Sequence, residues 1–167
     1  MLKRVSTILI SLALMVTPAF ALNQFYSVES GQWAIEGYTG EKNFCSAKTY
    51  WTNGSYVSLF NMKNSDEFAL YVNNADWNID GTIGSYYKGQ IVFQGKVGTD
   101  RGDMEFELVD AQTIVIRNLT SEFMKNWIIY RQMEIIMPSD IPNMRMGLSG
   151  TSAAVRAFAD CIDHLNR

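Results

Sequence analysis

The C-terminal stretch of the chain reads Gly147-Leu-Ser-Gly-Thr-Ser-Ala-Ala-Val-Arg-Ala-Phe-Ala-Asp-Cys161-Ile-Asp-His-Leu-Asn-Arg167. It contains the most regular helical pattern in the sequence. The apolar residues that recur there at helical spacing are Ala154, Phe158, Cys161 and Leu165. Side chains at this spacing lie on one face of an α-helix. We therefore expect the thiol of Cys161 to face inward, toward a β-sheet that carries the other cysteine, Cys45.

The chain contains two cysteines, Cys45 and Cys161. In an oxidising compartment two cysteines have one intramolecular pairing available, so the sequence predicts a Cys45–Cys161 disulfide. A reactive thiol pair is the alternative. The C-x-x-C spacing is absent, and no basic residue accompanies Cys161 on its helix face, so a structural link is favoured.

The N-terminus has the pattern of a cleaved signal peptide, residues 1–21. Lys3 and Arg4 precede an apolar run, and Ala19-Phe20-Ala21 has the small-x-small pattern of a cleavage site. The apolar run is shorter than the roughly 20 residues that span a bilayer as a helix. No later stretch is long and apolar enough to span one. We therefore expect a periplasmic or secreted mature domain, residues 22–167.

The charge of the mature chain limits its partners. Cleavage removes two positive charges, so the formal net charge of −3 becomes −5. A nucleic-acid partner is not expected, because binding to phosphates requires a basic surface. A mature chain of roughly 146 residues fits one domain with a core of ordinary size. The expected partner is a protein or a component of the cell envelope.

Most of the mature chain has strand patterns. Residues 32–36 predict a short opening strand. Residues 44–51 and 55–62 are rich in aromatic and β-branched residues, and Asn53-Gly54 between them tolerates the positive φ angles of a tight hairpin turn. Residues 68–72 are almost wholly apolar, which indicates a central strand buried on both faces.

The second half of the chain completes the predicted fold. Further strand patterns cover residues 85–94, 104–108, 113–117, 133–137 and 144–148. A helix is predicted for residues 121–131, and an exposed loop for the polar, glycine-containing residues 95–103. The connections are too short for crossover helices, which favours antiparallel pairing. The predicted fold is therefore α+β and β-rich: an antiparallel sandwich or a partly open barrel covered by a C-terminal helix.

A small outer-membrane β-barrel is the alternative for an exported chain of this length. Strands of such barrels alternate apolar with polar residues. The apolar segment 68–72, the amphipathic C-terminal helix and the distant cysteine pair argue against it.

Motifs for catalysis and metal binding are sparse. His164 is the one histidine and lies near the end of the terminal helix, so we expect a surface histidine and neither a catalytic triad nor a multi-histidine metal site. The acidic residues at 100–107 lack the spacing of an EF-hand loop, so neither a metal nor another cofactor is expected. An enzyme acting on envelope polymers through Asp76 and Asp80 is the alternative function. We do not expect catalytic activity.

Aromatic residues supply the candidate binding surface. Most tryptophans and tyrosines of a small β domain serve as core and cross-strand partners. Tyr86 and Tyr87 are adjacent in a predicted strand and so point to opposite faces, which leaves one of them facing outward or toward a second layer. With Trp77 they form the candidate surface of a non-catalytic binding module, whose narrower form is an inhibitor or immunity-type protein.

A set of residues spread over most of the mature chain resembles one group of known proteins. The set comprises Trp33, Cys45, Tyr50, the turn at Gly54, Trp77, Phe123 and the terminal stretch from Leu148 to Cys161. It resembles small exported proteins of Gram-negative bacteria, especially proteobacteria, that have no assigned activity. The invasion-associated locus B-like proteins are a more distant comparison. The resemblance implies a periplasmic location and the terminal disulfide, and it carries over no catalytic residue.

The tripeptide Arg101-Gly102-Asp103 generates the first prediction. Some adhesive proteins bind integrins through these three residues, but a polar turn explains them more simply. Replacing them by Ala-Gly-Ala should change the free energy of unfolding by no more than about 0.5 kcal/mol, as for most exposed substitutions. Thermal melting checks this. Loss of host-cell attachment in a variant that folds normally would contradict it.

Overall fold

A computed structural model of the chain describes residues 22–138 and 140–167, so the predicted signal peptide at 1–21 lies outside the described residues. The strands are β1 Asn23–Ser30, β2 Trp33–Thr39, β3 Phe44–Tyr50, β4 Tyr56–Met62, β5 Phe68–Asn73, β6 Tyr86–Gly95, β7 Gly98–Asp110, β8 Thr113–Leu119, β9 Gln132–Ile136 and β10 Met144–Gly147. The helices are α1 Ser121–Ile129 and α2 Thr151–Asn166. The predicted α+β class is confirmed.

The described strands form one antiparallel sheet in the order β1-β2-β3-β4-β5-β8-β7-β6-β9-β10. Neighbours are mostly consecutive in the chain, as expected for short connections. The sheet is not closed on itself, and β1 and β10 are the edges among these strands. The predicted central strand, β5, is the fifth of the ten.

The β3–β4 hairpin is formed as its turn sequence predicts. Gly54 has a φ of 89°, which glycine adopts without steric cost. The Gly54 amide donates to the Trp51 carbonyl at 3.0 Å, and the Trp51 amide donates to the Ser55 carbonyl at 2.9 Å. The two strands then pair in unbroken register from Tyr50–Tyr56 to Phe44–Met62.

Side chains alternate between an inner and an outer face of the sheet. On β4, Val57 and Leu59 point inward and are fully buried, and Leu70 and Val72 do the same on β5. Inward residues of all strands from β2 to β10 belong to one hydrophobic cluster. The inner face of a single curved sheet is therefore the core of the domain.

Strands β7 and β8 are paired over only part of their length. Their ladder contains Glu107, Leu108 and Asp110 of β7, whereas β7 begins nine residues before Glu107 at Gly98. Near its end β8 bulges against β5, and Asn118 has a φ of 56°. Helix α1 begins two residues after the end of β8. The α1 residue Asn126 then reaches β7, where its side-chain amide donates to Asp100 at 2.8 Å.

Helix α2 packs on α1 and on the inner side of the first three strands. The Thr151 hydroxyl, at the start of α2, donates to the Trp127 carbonyl near the end of α1 at 2.6 Å. Phe158 is buried and stacks on Phe68 with ring centroids 6.2 Å apart. The inward face of α2 consists of Thr151, Ala154, Phe158, Cys161 and Leu165, which are its buried residues.

Cys45 of β3 and Cys161 of α2 form the predicted disulfide. Both cysteines are fully buried, and their Cα atoms lie 6.1 Å apart. Gly37 of β2 allows this close approach, because a Cβ atom at that position would lie only 2.8 Å from the Cys161 sulfur. The disulfide therefore joins the last element of the chain to the third strand.

Two sequence expectations are wrong. A strand, β1, precedes the predicted opening strand and pairs with it. The expected loop at residues 95–103 is mostly strand: residues 98–103 continue β7 and pair with β6, so that only Lys96 and Val97 form the turn. Arg101 and Asp103 are nevertheless exposed, as predicted. Within the described residues, no helix has the length and apolar character needed to cross a membrane.

The disulfide generates the second prediction. It closes a loop between residues 116 positions apart, and closure of such a loop stabilises the native state by about 4–5 kcal/mol in the chain-entropy model. The double variant Cys45→Ser/Cys161→Ser should therefore melt roughly 10–20 °C below the wild type. Differential scanning calorimetry measures the shift. The reductant control should lower the wild-type melting temperature similarly and leave the double variant unchanged; equal melting temperatures for variant and wild type would refute the stabilising role.

Candidate functional site

The outer face of β2 to β5 carries a row of aromatic side chains, although this face lies opposite the core. Four half-buried rings, one from each strand, follow one another across the sheet: Tyr38, Phe44, Phe60 and Tyr71. Their successive ring centroids are 5.2, 5.7 and 5.1 Å apart. Such spacings are typical of favourable tilted and edge-to-face pairs. We call this set the aromatic row.

A groove of about 330 Å³ runs along the aromatic row. Its apolar lining comes from Phe44, Phe60, Met62, Phe68, Ala69 and Tyr71. We call this site the outer-face groove. Its volume lies at the lower end of the range of about 300–1,000 Å³ for small-molecule sites. It can therefore take a few apolar side chains or a small ligand.

Polar residues border the outer-face groove, and they include Lys42, Glu67, Arg117 and Asn118. The Arg117 Nε atom donates to the Glu107 carboxylate at 2.7 Å. This hydrogen bond is the main reason that the pKa of the Arg117 guanidinium lies above its usual value. The guanidinium is thus ion-paired with Glu107, and Arg117 lines the groove together with Tyr71.

The same face carries a second aromatic group beside the aromatic row. The Lys48 ammonium lies 4.6 Å from the ring centroid of Tyr50 and 4.4 Å from that of Tyr56. Both distances fall within the range of cation–π contacts, up to about 6 Å. Tyr50 is 61% exposed, whereas the rings of the aromatic row are half-buried.

Two other depressions are polar. The first has a volume of about 520 Å³ and is lined by Lys88, Gly89, Gln90, Asp103, Met104 and Glu105 of the β6–β7 hairpin. The second, of about 440 Å³, includes Asp76 among its lining residues together with Asn74, Asn143 and Arg145. Ligand sites are usually apolar with a few oriented polar groups. The outer-face groove meets that description better than either depression.

The structure does not unite Trp77, Tyr86 and Tyr87 into one surface. Trp77 is 2% exposed, and its indole N–H donates to the Pro142 carbonyl at 2.7 Å. Tyr87 is half-buried and packs against the core cluster, whereas Tyr86 is 66% exposed. The two tyrosines point to opposite faces, as alternation along a strand requires. The inclusion of Trp77 in a binding surface is therefore wrong, since it is a core residue.

The two acidic residues proposed for the alternative function, an enzyme, do not lie in one cavity. Asp76 and Asp80 are both exposed, and the buried Trp77 lies between them in sequence. His164 is also exposed, and its Nδ1 atom lies 2.7 Å from the Asp160 carbonyl oxygen. Within residues 22–138 and 140–167, no three histidine, cysteine, aspartate or glutamate side chains are grouped as metal ligands.

Comparison of the chain with known protein families, with curated proteins and with solved structures finds no match. The resemblance to small exported proteobacterial proteins stays a prediction. The candidate site is therefore defined by its geometry: an aromatic groove on the outer face, with an ion-paired arginine at its border.

The third prediction compares the loss of stability caused by substitutions at Trp77 and at Tyr86. Trp77→Phe removes the N–H donor to Pro142 and leaves a cavity, so the free energy of unfolding should fall by about 2–4 kcal/mol. Tyr86→Ala changes an exposed side chain and should cost less than about 1 kcal/mol. Urea denaturation measures both values. A loss of stability in Tyr86→Ala equal to that in Trp77→Phe would show that the assignment of core and surface is wrong.

Proposed function

We propose that this protein is a non-catalytic binding module of the periplasm or the extracellular space, and that it binds its partner through the outer-face groove. The observation that carries the proposal is the aromatic row, whose rings remain partly exposed on the face of the sheet that is opposite the core. Further burial of such rings by a partner is favourable, at about 25 cal/mol per Å² of apolar surface.

The packing of the row supports a role in binding. Phe60 contacts Phe44 on one side and Tyr71 on the other, in edge-to-face or tilted geometry. Rings that are already held by their neighbours lose little conformational entropy when a partner covers them. Aromatic and arginine side chains dominate the binding energy of many protein interfaces. Arg117, ion-paired with Glu107, supplies the charged group at the border.

The chemistry of the groove defines the partner. An apolar side chain, or a short apolar segment, fits the lining of Phe44, Phe60 and Met62. A hydrogen-bond acceptor next to it can accept from the Arg117 guanidinium, whose fork of N–H groups suits carboxylates and carbonyl oxygens. The partner is therefore an exported protein or another envelope component that displays an apolar group beside an acceptor.

The disulfide is compatible with this location, since disulfides persist in the periplasm and outside the cell. An inhibitor or immunity-type protein is the narrower form of the proposal. In that form the occupant of the groove is a side chain of the protein that is blocked, and the affinity depends on a few buried contacts.

The fourth prediction tests the groove by partner capture. The mature domain is immobilised, exposed to periplasmic extract, and compared with the variants Phe60→Ala and Tyr50→Ala. Phe60 lies in the groove, whereas Tyr50 lies on the same face outside it. Loss of a central aromatic contact costs about 2 kcal/mol or more, so Phe60→Ala should weaken binding at least about tenfold.

The control variant shows whether the loss of binding is specific to the groove. Tyr50→Ala should capture the same partner as the wild type, in the same stoichiometric amount. Both variants are first shown by thermal melting to be folded. Equal capture by Phe60→Ala and the wild type would refute the groove as the binding site. Turnover of a glycan or cell-wall polymer by the wild type would refute the non-catalytic function itself.

A further inference from the structure

Over residues 26–30 the edge strand β1 lacks the usual protection of a sheet edge, since its one bulge lies before them, between Gln24 and Tyr26. It is eight residues long, and Glu29 is its one charged residue. Natural edge strands are commonly kept short or carry lysine, proline or inward-pointing charges, because an unpaired edge invites another strand. The opposite edge, β10, follows this rule: it has four residues and contains Arg145. Among the strands of residues 22–138 and 140–167, the β1 edge is therefore the one open to pairing.

Apolar side chains accompany the free edge of β1. Phe25 and Val28 are each 38% exposed. In the ladder with β2, Val28 is opposite Ile35, which is fully buried, so Val28 points to the inner side on which α2 packs. Helix α2 reaches β1 through His164, whose ring centroid lies 5.7 Å from that of Tyr26. The helix thus leaves an apolar strip uncovered at the edge.

We propose that β1 pairs antiparallel with β1 of a second copy of this chain, about a two-fold axis at Val28. This register places Val28 opposite Val28 of the second copy. Opposite residues in an antiparallel pair share a face of the sheet and have Cβ atoms about 4.5–5.5 Å apart. The two exposed valines therefore bury each other, and the two sheets join into one continuous sheet.

The charge pattern of β1 fits a second copy. About an axis at Val28, Glu29 is opposite Ser27 of the other copy, and Tyr26 is opposite Ser30. Like charges directly opposite each other would be destabilising, and this register has none; the two Glu29 side chains are diagonal neighbours, about 7–8 Å apart. An interface between identical surfaces must be self-complementary in this way. Helix α2 of each copy then borders the joined strip on the same side of the sheet.

The proposed interface is separate from the outer-face groove. Val28 lies on the helix side of the sheet, whereas Phe60 is on the outer face, so self-association and partner binding occupy different surfaces. One strand pair buries less surface than the roughly 1,200–2,000 Å² of a stable interface. The dimer should therefore be weak and should dissociate on dilution.

Sedimentation velocity over a concentration series tests the proposal. The mature wild type should change from monomer to dimer as its concentration rises from about 1 to 500 μM, the range of weak association. Val28→Glu alone and Val28→Lys alone should each remain monomeric, because the axis places like charges together. Mixed in equal amounts, the two variants should again form dimers. Val97→Lys is the control: Val97 is 67% exposed at the β6–β7 turn, and its substitution should not alter dimerisation.

Hydrogen exchange on the wild type tests the proposal without relying on the folding of any variant. Hydrogen exchange in residues 23–30 should slow as concentration rises, because the outward amides of β1 become bonded to the second copy. A wild type that stays monomeric throughout the series would overturn the proposal. Dimers that persist in both single Val28 variants would also overturn it, as would failure of the folded variants to associate when mixed.

Discussion

The link between Cys45 and Cys161 is the constraint on which the rest of the fold depends. It fixes α2, the last element of the chain, against the inner side of β2 and β3. Gly37 leaves room for the sulfur atoms, and Phe158 and Leu165 then enter the core beside them. Without this helix the inner face of the first strands would be exposed to water. The disulfide thus holds in place the helix that covers the inner face of an open sheet.

Because the inner face is occupied by the core, the outer face is available for binding. Most antiparallel sheets that cover a core on one side have a polar outer side. Here the outer side of β2 to β5 carries the aromatic row instead, with successive ring centroids 5.1 to 5.7 Å apart. Mutual packing of the rings reduces their exposure in the free protein. An exposed aromatic surface of this kind is a common feature of interaction sites.

Local patterns predicted the elements that depend on local sequence. The helical spacing of Ala154 to Leu165, the Asn53-Gly54 turn and the apolar segment of β5 each led to the correct element. Strand β1 and the first part of β7 were missed, because most of their residues are exposed and so lack a clear apolar period. The groove could not be predicted, since it requires knowing that β8 lies beside β5. Trp77 was misassigned because its burial is set by the tertiary structure, in which its indole N–H donates to Pro142, a residue distant in sequence.

Hydrogen exchange followed by mass spectrometry, on the oxidised and the reduced protein, tests the central role of the disulfide most directly. Local opening exposes the amides of one cooperative unit before the rest of the protein. Reduction should accelerate exchange first in α2, residues 151–166, and next in β1 to β3, which it covers. The β6–β9 ladder should keep its protection under the same conditions. Unchanged protection of α2 after reduction, or simultaneous loss of protection across the whole sheet, would contradict the account.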